Sequence, residues 1–245
     1  MLSLKNLSIK ADEKLIVSDF DLEVNPGEIH CIMGPNGSGK STLVNALMGH
    51  PKYEITAEKC LFDGENLTEL EAFERARKGL FLAQQYPKEI PGVNFLNFLT
   101  AAYNGVRAEL EDFKPLKAFK MKKLVTPLLE ELGIKADFLN RYINHGFSGG
   151  EKKKAEILQL KLLDPKLALL DETDSGLDVD ALKIVGEGVN SFVDDKKAVI
   201  VVTHYQRILE YIKPDFVHVI KDGKKVLSGG PELAAKLEKE GFNWL

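Results

Sequence analysis

The sequence predicts an α/β domain built around a phosphate-binding loop, with a helical insertion between the two halves of a strand–helix core. Three observations predict it. Gly34-Pro35-Asn36-Gly37-Ser38-Gly39-Lys40-Ser41 fits the pattern G-x-x-x-x-G-K-[ST] without a gap. A short apolar strand, Glu28 to Met33, leads into this loop, and a stretch with helical spacing, Ser41 to Met48, leads out of it. Past a long helical stretch from about Asn94 to Leu163, strands and helices alternate again.

Taken in order, residues 2–9 and 15–24 read as strands joined by the polar turn Ala11-Asp12-Glu13-Lys14, and Asn25-Pro26-Gly27 turns the chain into the loop strand. The loop helix is closed by Gly49 and Pro51. Cys60-Leu61-Phe62 and Gly79 to Ala83 read as further short strands. In the helical stretch Met121 to Leu132 is the most periodic part, with Pro115 and Gly133 as punctuation. Next come a strand at Leu167 to Leu170, a helix from Val179 to Phe192, a strand at Ala198 to Val202, a helix around Gln206 to Tyr211 and a strand at Phe216 to Ile220. Lys221-Asp222-Gly223-Lys224 reads as a hairpin turn. The chain has no repeats and no low-complexity tract.

Composition bounds the function. The chain's 245 residues suit one large α/β domain or two small ones, and a 44% hydrophobic content supplies a sizeable core. Lys and Arg number 33 against 37 Asp and Glu, and this near balance argues against a nucleic-acid binder driven by a basic surface. No apolar run approaches the ~20 residues of a membrane span, and the first residues do not read as a signal peptide. The expectation is a soluble protein of the cytosol with no direct membrane insertion. Cys31 and Cys60 lie in apolar contexts without a second Cys or a His at ligand spacing, so they read as small buried hydrophobes.

Two further segments carry chemistry. In the phosphate loop, Gly34, Gly37 and Gly39 let the backbone approach a polyphosphate, Lys40 brings a cation to it and Ser41 a hydroxyl for Mg²⁺. Leu167 to Glu172 is an apolar strand ending in two acids, which places both carboxylates at the ligand-binding edge of an open α/β sheet. There Asp171 suits Mg²⁺, and Glu172 can orient a water for attack on a terminal phosphate. The plainer alternative is a pair of acids capping the following helix. Phe147-Ser148-Gly149-Gly150-Glu151 opens a helix and, taken alone, reads equally as a simple cap.

With these motifs, Gln85 after an apolar strand, Ser175-Gly176-Leu177-Asp178, and His204 after the strand ending in Thr203, the whole chain resembles an ABC-type ATPase. The resemblance implies a P-loop NTPase of ABC ATPase fold with a RecA-like core, an antiparallel β subdomain and a helical subdomain. It implies a single domain over 1–245, with 1–90 and 164–245 as the catalytic core and about 91–163 as the helical part. It implies ATP held by Gly34, Pro35, Asn36, Gly37, Ser38, Gly39, Lys40, Ser41 and Thr42, and Mg²⁺ held by Ser41, Gln85 and Asp171. Glu172, His204 and Gln85 would carry hydrolysis; Gln85 is preferred over Gln84 because it precedes Tyr86-Pro87. Ser148, Gly149, Gly150 and Glu151 would reach ATP bound on another subunit, so hydrolysis would require an ATP-dependent homodimer, with Ser175 to Asp178 coupling the two sites. One departure stands out. The position where such ATPases carry an adenine-stacking aromatic holds Ala11, which predicts weak nucleotide affinity and poor base discrimination in the monomer.

Gln85 to Val93, Gly146 to Lys154, Asp171 to Asp178, His204-Tyr205-Gln206-Arg207 and the ending Gly241 to Leu245 are similar to the SufC-type ATPases of the SUF iron–sulfur assembly machinery. That likeness implies SufB-like and SufD-like scaffold partners docking at Gln85 to Val93, ATP spent on conformational work, no iron held by this chain, and a cytoplasmic or organelle-stromal location. An energising subunit of a membrane transporter and a nucleotide-dependent scaffold with negligible hydrolysis are the alternatives. Transporter subunits more often carry Glu-Pro where this chain has Glu172-Thr173. The run Lys152-Lys153-Lys154 reads as a solvated helix face, with a salt link from Lys152 to a catalytic acid as the alternative. Lys154 stands where the resembled family carries Arg.

Overall fold

The computed structural model describes residues 1–173, 177–203, 207–242 and 244. Its first half runs β1 (Leu2–Ala11), β2 (Lys14–Val24), β3 (Ile29–Met33), α1 (Lys40–Leu47), β4 (Tyr53–Thr56), β5 (Lys59–Phe62), β6 (Glu65–Asn66), α2 (Ala72–Lys78) and β7 (Leu80–Ala83). Helices α3 (Phe95–Val106), α4 (Ala118–Glu131) and α5 (Gly149–Leu163) follow. The chain then continues through β8 (Leu167–Asp171), α6 (Val179–Phe192), β9 (Ala198–Val202), β10 (Phe216–Lys221), β11 (Lys224–Gly229) and α7 (Pro231–Glu240).

Two sheets result. The larger has the order β11-β10-β3-β9-β8-β7 and is parallel except for the terminal β10–β11 hairpin. Every residue of β3, β8 and β9 is buried, as continuous apolar runs in a sheet covered on both faces require. The smaller sheet is antiparallel, in the order β2-β1-β5-β6, with β4 also pairing β1. On one face of the parallel sheet, Ile32, Leu169, Ile200 and Val202 pack with α1 and the antiparallel sheet. On the other, Ala168, Leu170, Val199 and Val201 pack with helices α3 to α6. Helix α7 covers Cys31, Met33, Val217 and Val219. Cys31 and Cys60 are both buried.

One buried cation ties the loop helix to its neighbour. Arg75 of α2 donates through Nη1 to the carbonyls of Ala46 and Leu47, at 2.8 and 2.9 Å, and through Nε to that of Leu70 at 2.9 Å. It thereby satisfies carbonyls that the C-terminus of α1 leaves without helical partners.

Several elements differ from the sequence reading. The expected helix around Gln206 to Tyr211 is a 3₁₀ turn at Arg207–Glu210, with Gln206 outside the described residues. Pro214 disfavours helical geometry at Lys213, so the segment cannot lengthen into a regular helix before β10 begins. β4, β6, β11, α2 and α7 carry no strong pattern of their own. β11 alternates exposed and half-buried residues at a sheet edge, and α2 is seven residues long.

Candidate functional site

The phosphate loop links the C-terminal end of β3 to α1, and its glycines are fixed by space. A Cβ on Gly34 would lie 2.1 Å from the Ile220 carbonyl oxygen. One on Gly39, at φ +104°, would lie 2.8 Å from Val17 Cγ2. Gly37 has open space around it but a φ of +78°, which strains any L side chain. Lys40 is buried, and its Nζ donates to the carbonyls of Gly34 and Pro35 at 2.9 and 3.0 Å. Burial pulls its pKa below the ordinary lysine value, while the carboxylates of Glu172 and Asp171 oppose that shift.

The two acids arrive from β8. Asp171 accepts from Ser41 Oγ at 2.8 Å, which joins the strand end to the first turn of α1. Burial pushes the Asp171 carboxyl up to about 6, against the lowering effect of the Ser41 hydrogen bond. Glu172 follows at a positive φ of 44°, its backbone N–H bonded to the Val202 carbonyl at 2.9 Å. Gln85 Nε2 donates to Glu172 Oε2. Gln84 is instead exposed, so the geometry selects Gln85 of the two glutamines. Together Ile16, Asn36, Gly37, Gly39, Lys40, Ser41, Thr42, Gln85, Tyr86 and Glu172 line a cleft of about 460 Å³.

The cleft fits a magnesium–polyphosphate. The loop glycines hold a backbone that side chains at Gly34 and Gly39 would push against Ile220 and Val17, and Ser38 Oγ is a buried hydroxyl with no hydrogen-bond partner among the described residues. The oxygen pair Ser41–Asp171 is the donor type that Mg²⁺ takes alongside phosphate and water. Among the described residues no group of three or more His, Cys, Asp or Glu side chains gathers to hold a metal.

Ser148 and its neighbours do not enter this cleft. They line a second cavity of about 510 Å³, with Lys135, Arg141, Lys154 and Asp178. Ser148 caps α5 in a reciprocal capping box: its Oγ accepts from Glu151 N–H at 3.2 Å, and Glu151 Oε2 accepts from Ser148 N–H at 2.8 Å. Arg141 holds the same turn. It donates to Glu151 Oε1 at 2.8 Å and to the Gly146 carbonyl at 2.7 Å, and it stacks over Phe147 at 4.4 Å. The Glu151 carboxylate is therefore engaged in shaping the turn, while Ser148 and Gly149 are exposed. His204 lies outside the described residues, as does the 174–176 part of the segment ending at Asp178.

The lysine run is not a uniformly solvated face. Lys152 reaches Glu89 at 3.4 Å and no acid of the cleft. Lys153 is buried and paired with Glu156 at 2.8 Å, because the turn of the helix carries its side chain inward toward the strand end of β7. That pair escaped the sequence reading, although a Lys and a Glu three residues apart on one helix was the available signal. Ala11 is not among the residues that line the cleft. It sits in the β1–β2 hairpin opposite Lys14, and Ile16 is the residue of that ribbon that lines the cleft.

A family model described as ABC transporter matches residues 17–175. The chain is 51% identical over 245 residues to the probable ATP-dependent transporter ycf16 of Cyanophora paradoxa, covering 100% of this chain and 94% of that one. It is 48% identical over 244 residues to vegetative protein 296 of Bacillus subtilis, covering 100% of this chain and 92% of that one. Among solved structures, the dimeric bacterial cassette MJ0796 superposes with a TM-score of 0.78 at 22% identity, covering 94% of this chain and 99% of that one. A second dimeric structure of that cassette, in a post-hydrolysis state bound to ADP and Pi, superposes at 0.76. At this identity the two structures speak for the fold, that of an ABC ATPase cassette.

Proposed function

This chain belongs to the ABC transporter ATPase family, and on that premise we propose that it hydrolyses ATP between two copies of itself to drive the SUF iron–sulfur assembly machinery. The observation that carries the catalytic part is the single cleft that gathers Lys40, the Ser41–Asp171 pair and the Gln85–Glu172 pair. The glycine loop and Lys40 bind the phosphates of ATP. Ser41, Asp171 and Gln85 would hold Mg²⁺, which would supply charge neutralisation for the phosphates. Glu172, oriented by Gln85, accepts hydrogen bonds from the attacking water, and His204 meets the γ-phosphate. Because the Ser148 turn lines a separate cavity, the site is completed by the Ser148–Gly150 turn of a second copy, whose helix N-terminus faces the γ-phosphate. In this reading residues 1–90 with 164–245 form the catalytic core, and about 91–163 form the helical subdomain that carries the Ser148 turn.

The SUF assignment is supported by the wording of the motifs and by the loop after Gln85, where Tyr86, Ile90 and Val93 are large exposed apolar side chains suited to a protein partner. The partners would be SufB-like and SufD-like scaffolds, in the cytoplasm or an organelle stroma. Among the described residues no helix is long and apolar enough to cross a membrane. A second reading, the energising subunit of a transporter, is favoured by the printed names of several relatives. Affinity purification of the tagged chain from its native host separates the two. Soluble scaffold proteins recovered with Mg²⁺-dependent ATPase activity support the first reading. Integral membrane permeases overturn it in favour of the second, and absence of turnover in the recovered complex overturns both.

A further inference from the structure

Next to the proposed catalytic cleft, the described residues contain a buried ion pair that reaches an expected site residue, Gln85, through that residue's backbone carbonyl. Lys153 and Glu156 are 4% and 7% exposed. Burying two charges is costly unless every donor and acceptor is matched. Here they are matched to one short piece of backbone. Glu156 Oε1 accepts from Gln84 N–H at 2.9 Å, and Glu156 Oε2 accepts from Lys153 Nζ at 2.8 Å. Lys153 Nζ also donates to the Gln84 carbonyl at 2.7 Å and to that of Gln85 at 3.5 Å. The chain has just left β7 at this point, a sheet-edge strand that among the described residues pairs only with β8. The next side chain, Gln85, is the one bonded to Glu172.

We propose that Lys153 and Glu156 are positioning residues that clamp the Gln84–Gln85 backbone and thereby hold the Gln85 amide against Glu172. The argument is geometric. Both peptide groups of Gln84 are pinned by α5, leaving the Gln85 side chain few directions to take. Without the clamp, an edge strand followed by the exposed Tyr86 to Gly92 loop would let Gln85 swing away from the carboxylate. A plain stability role predicts something different. Buried ion pairs are often replaceable by apolar residues of similar volume without loss of stability, so a clamp kept only for folding would be dispensable as a pair.

The inference rests on the ATPase reading, and the test separates the two. Full-length protein is assayed together with its co-purified partners as wild type, as the double variant Lys153→Met/Glu156→Met, and as Lys153→Arg. The double variant is expected to melt within a few degrees of wild type and to bind a fluorescent ATP analogue within about threefold of wild-type affinity, because binding rests on the loop and Lys40. Its kcat should fall at least about tenfold with KM little changed, the signature of an interaction that matters after binding. Lys153→Arg, which keeps a cation and its donors, should recover part of that loss. Wild-type kcat in a folded double variant overturns the clamp and leaves the ATPase reading intact. Absence of turnover in wild type overturns both. Should the double variant not fold, Glu156→Gln is read with the same pair of measurements, and an unchanged kcat there likewise overturns the proposal.

Discussion

Arg75→Met is the substitution whose cost can be worked most directly from the structure. Arg75 lies outside every nucleotide motif, yet it holds the far end of the phosphate-loop helix. It makes three hydrogen bonds, to the carbonyls of Ala46, Leu47 and Leu70. A bond from a charged donor to a carbonyl is worth about 1.5 kcal/mol net, so the three total about 4–5 kcal/mol. The guanidinium's own desolvation and the packing that methionine retains offset part of this, leaving a loss of about 3 kcal/mol. Space at the site is tight, since a Cβ on Gly49 would come within 3.1 Å of Arg75 Nε. At this chain length such a loss lowers the melting temperature by about 6–12 °C. Differential scanning calorimetry of wild type, Arg75→Met and Arg75→Lys is the assay. Lysine should fall between the other two, because an ammonium can reach some of the same carbonyls without the planar fork. A drop of less than about 2 °C for methionine would refute the reasoning, since it would mean the α1 carbonyls find other donors at little cost.

Four further outcomes are expected. Glu172→Gln should keep Mg²⁺-ATP binding within about threefold and abolish steady-state turnover, as measured by phosphate release, because only the carboxylate proposed to orient the attacking water is lost. Lys40→Ala should weaken ATP binding and turnover together, by about tenfold or more in titration calorimetry, since a phosphate-facing cation is removed. Ile16→Tyr should tighten ATP binding by stacking on the base, an effect of about 1–3 kcal/mol, whereas an unchanged dissociation constant would place adenine elsewhere. The fourth concerns pH. Burial, followed by the neighbouring His30 and Lys225, holds the His218 imidazole down at about 4 against an ordinary 6.5. Between those values the unfolded chain binds the proton and the folded chain does not. The stability from neutral His218 is thus complete above about pH 6.5 and falls by about 1.4 kcal/mol per pH unit toward pH 4, roughly 3 kcal/mol in all. Asp171 titrates in the opposite sense over part of that range. The quantity to measure is therefore the denaturant-derived stability of wild type minus that of His218→Gln at pH 7, 6 and 5, a difference that should shrink as pH falls.

What was legible in the sequence was whatever a local pattern fixes. The phosphate loop announces itself because polyphosphate needs glycines and a lysine at set spacing, and β3, β8 and β9 because buried parallel strands must be apolar throughout. The α6 limits, Val179–Phe192, are marked by the Asp178 cap and the apolar Phe192. Residues that act at a distance were not legible. Arg75 meets carbonyls about thirty positions earlier in the chain, and Lys153 meets carbonyls about seventy positions earlier. No window of the chain contains both partners. Ile16 was missed for a related reason. Which residue of a β-ribbon faces a ligand depends on register, and the β1–β2 pairing shifts register between Leu4 and Leu7, between Leu7 and Ile9, and again between Ile9 and Lys10. The short edge elements β6 and α2 fold on contacts supplied by their neighbours, so their own residues signal little.

Arg75 and Lys153 share one physical device with two cations that act locally, Lys40 and Arg141. Lys40 bonds the carbonyls of Gly34 and Pro35, Arg75 those of Ala46, Leu47 and Leu70, Lys153 those of Gln84 and Gln85, and Arg141 that of Gly146. Each is a cation holding one loop or helix end of the nucleotide machinery through backbone oxygens. The reason is chemical. A site that receives a polyphosphate must aim its N–H groups at the ligand, and turning the N–H groups inward turns carbonyls the other way, where they need donors of their own. Basic side chains are suited to that place because they donate several hydrogen bonds at once and tolerate a carboxylate beside them, as Lys153 does Glu156 and Arg141 does Glu151. Shape at the nucleotide cleft is thus specified by Lys40, which lines it, together with Arg75, Arg141 and Lys153, which are not among its lining residues. Substitutions that remove one of these cations should loosen a single motif while leaving the others in register.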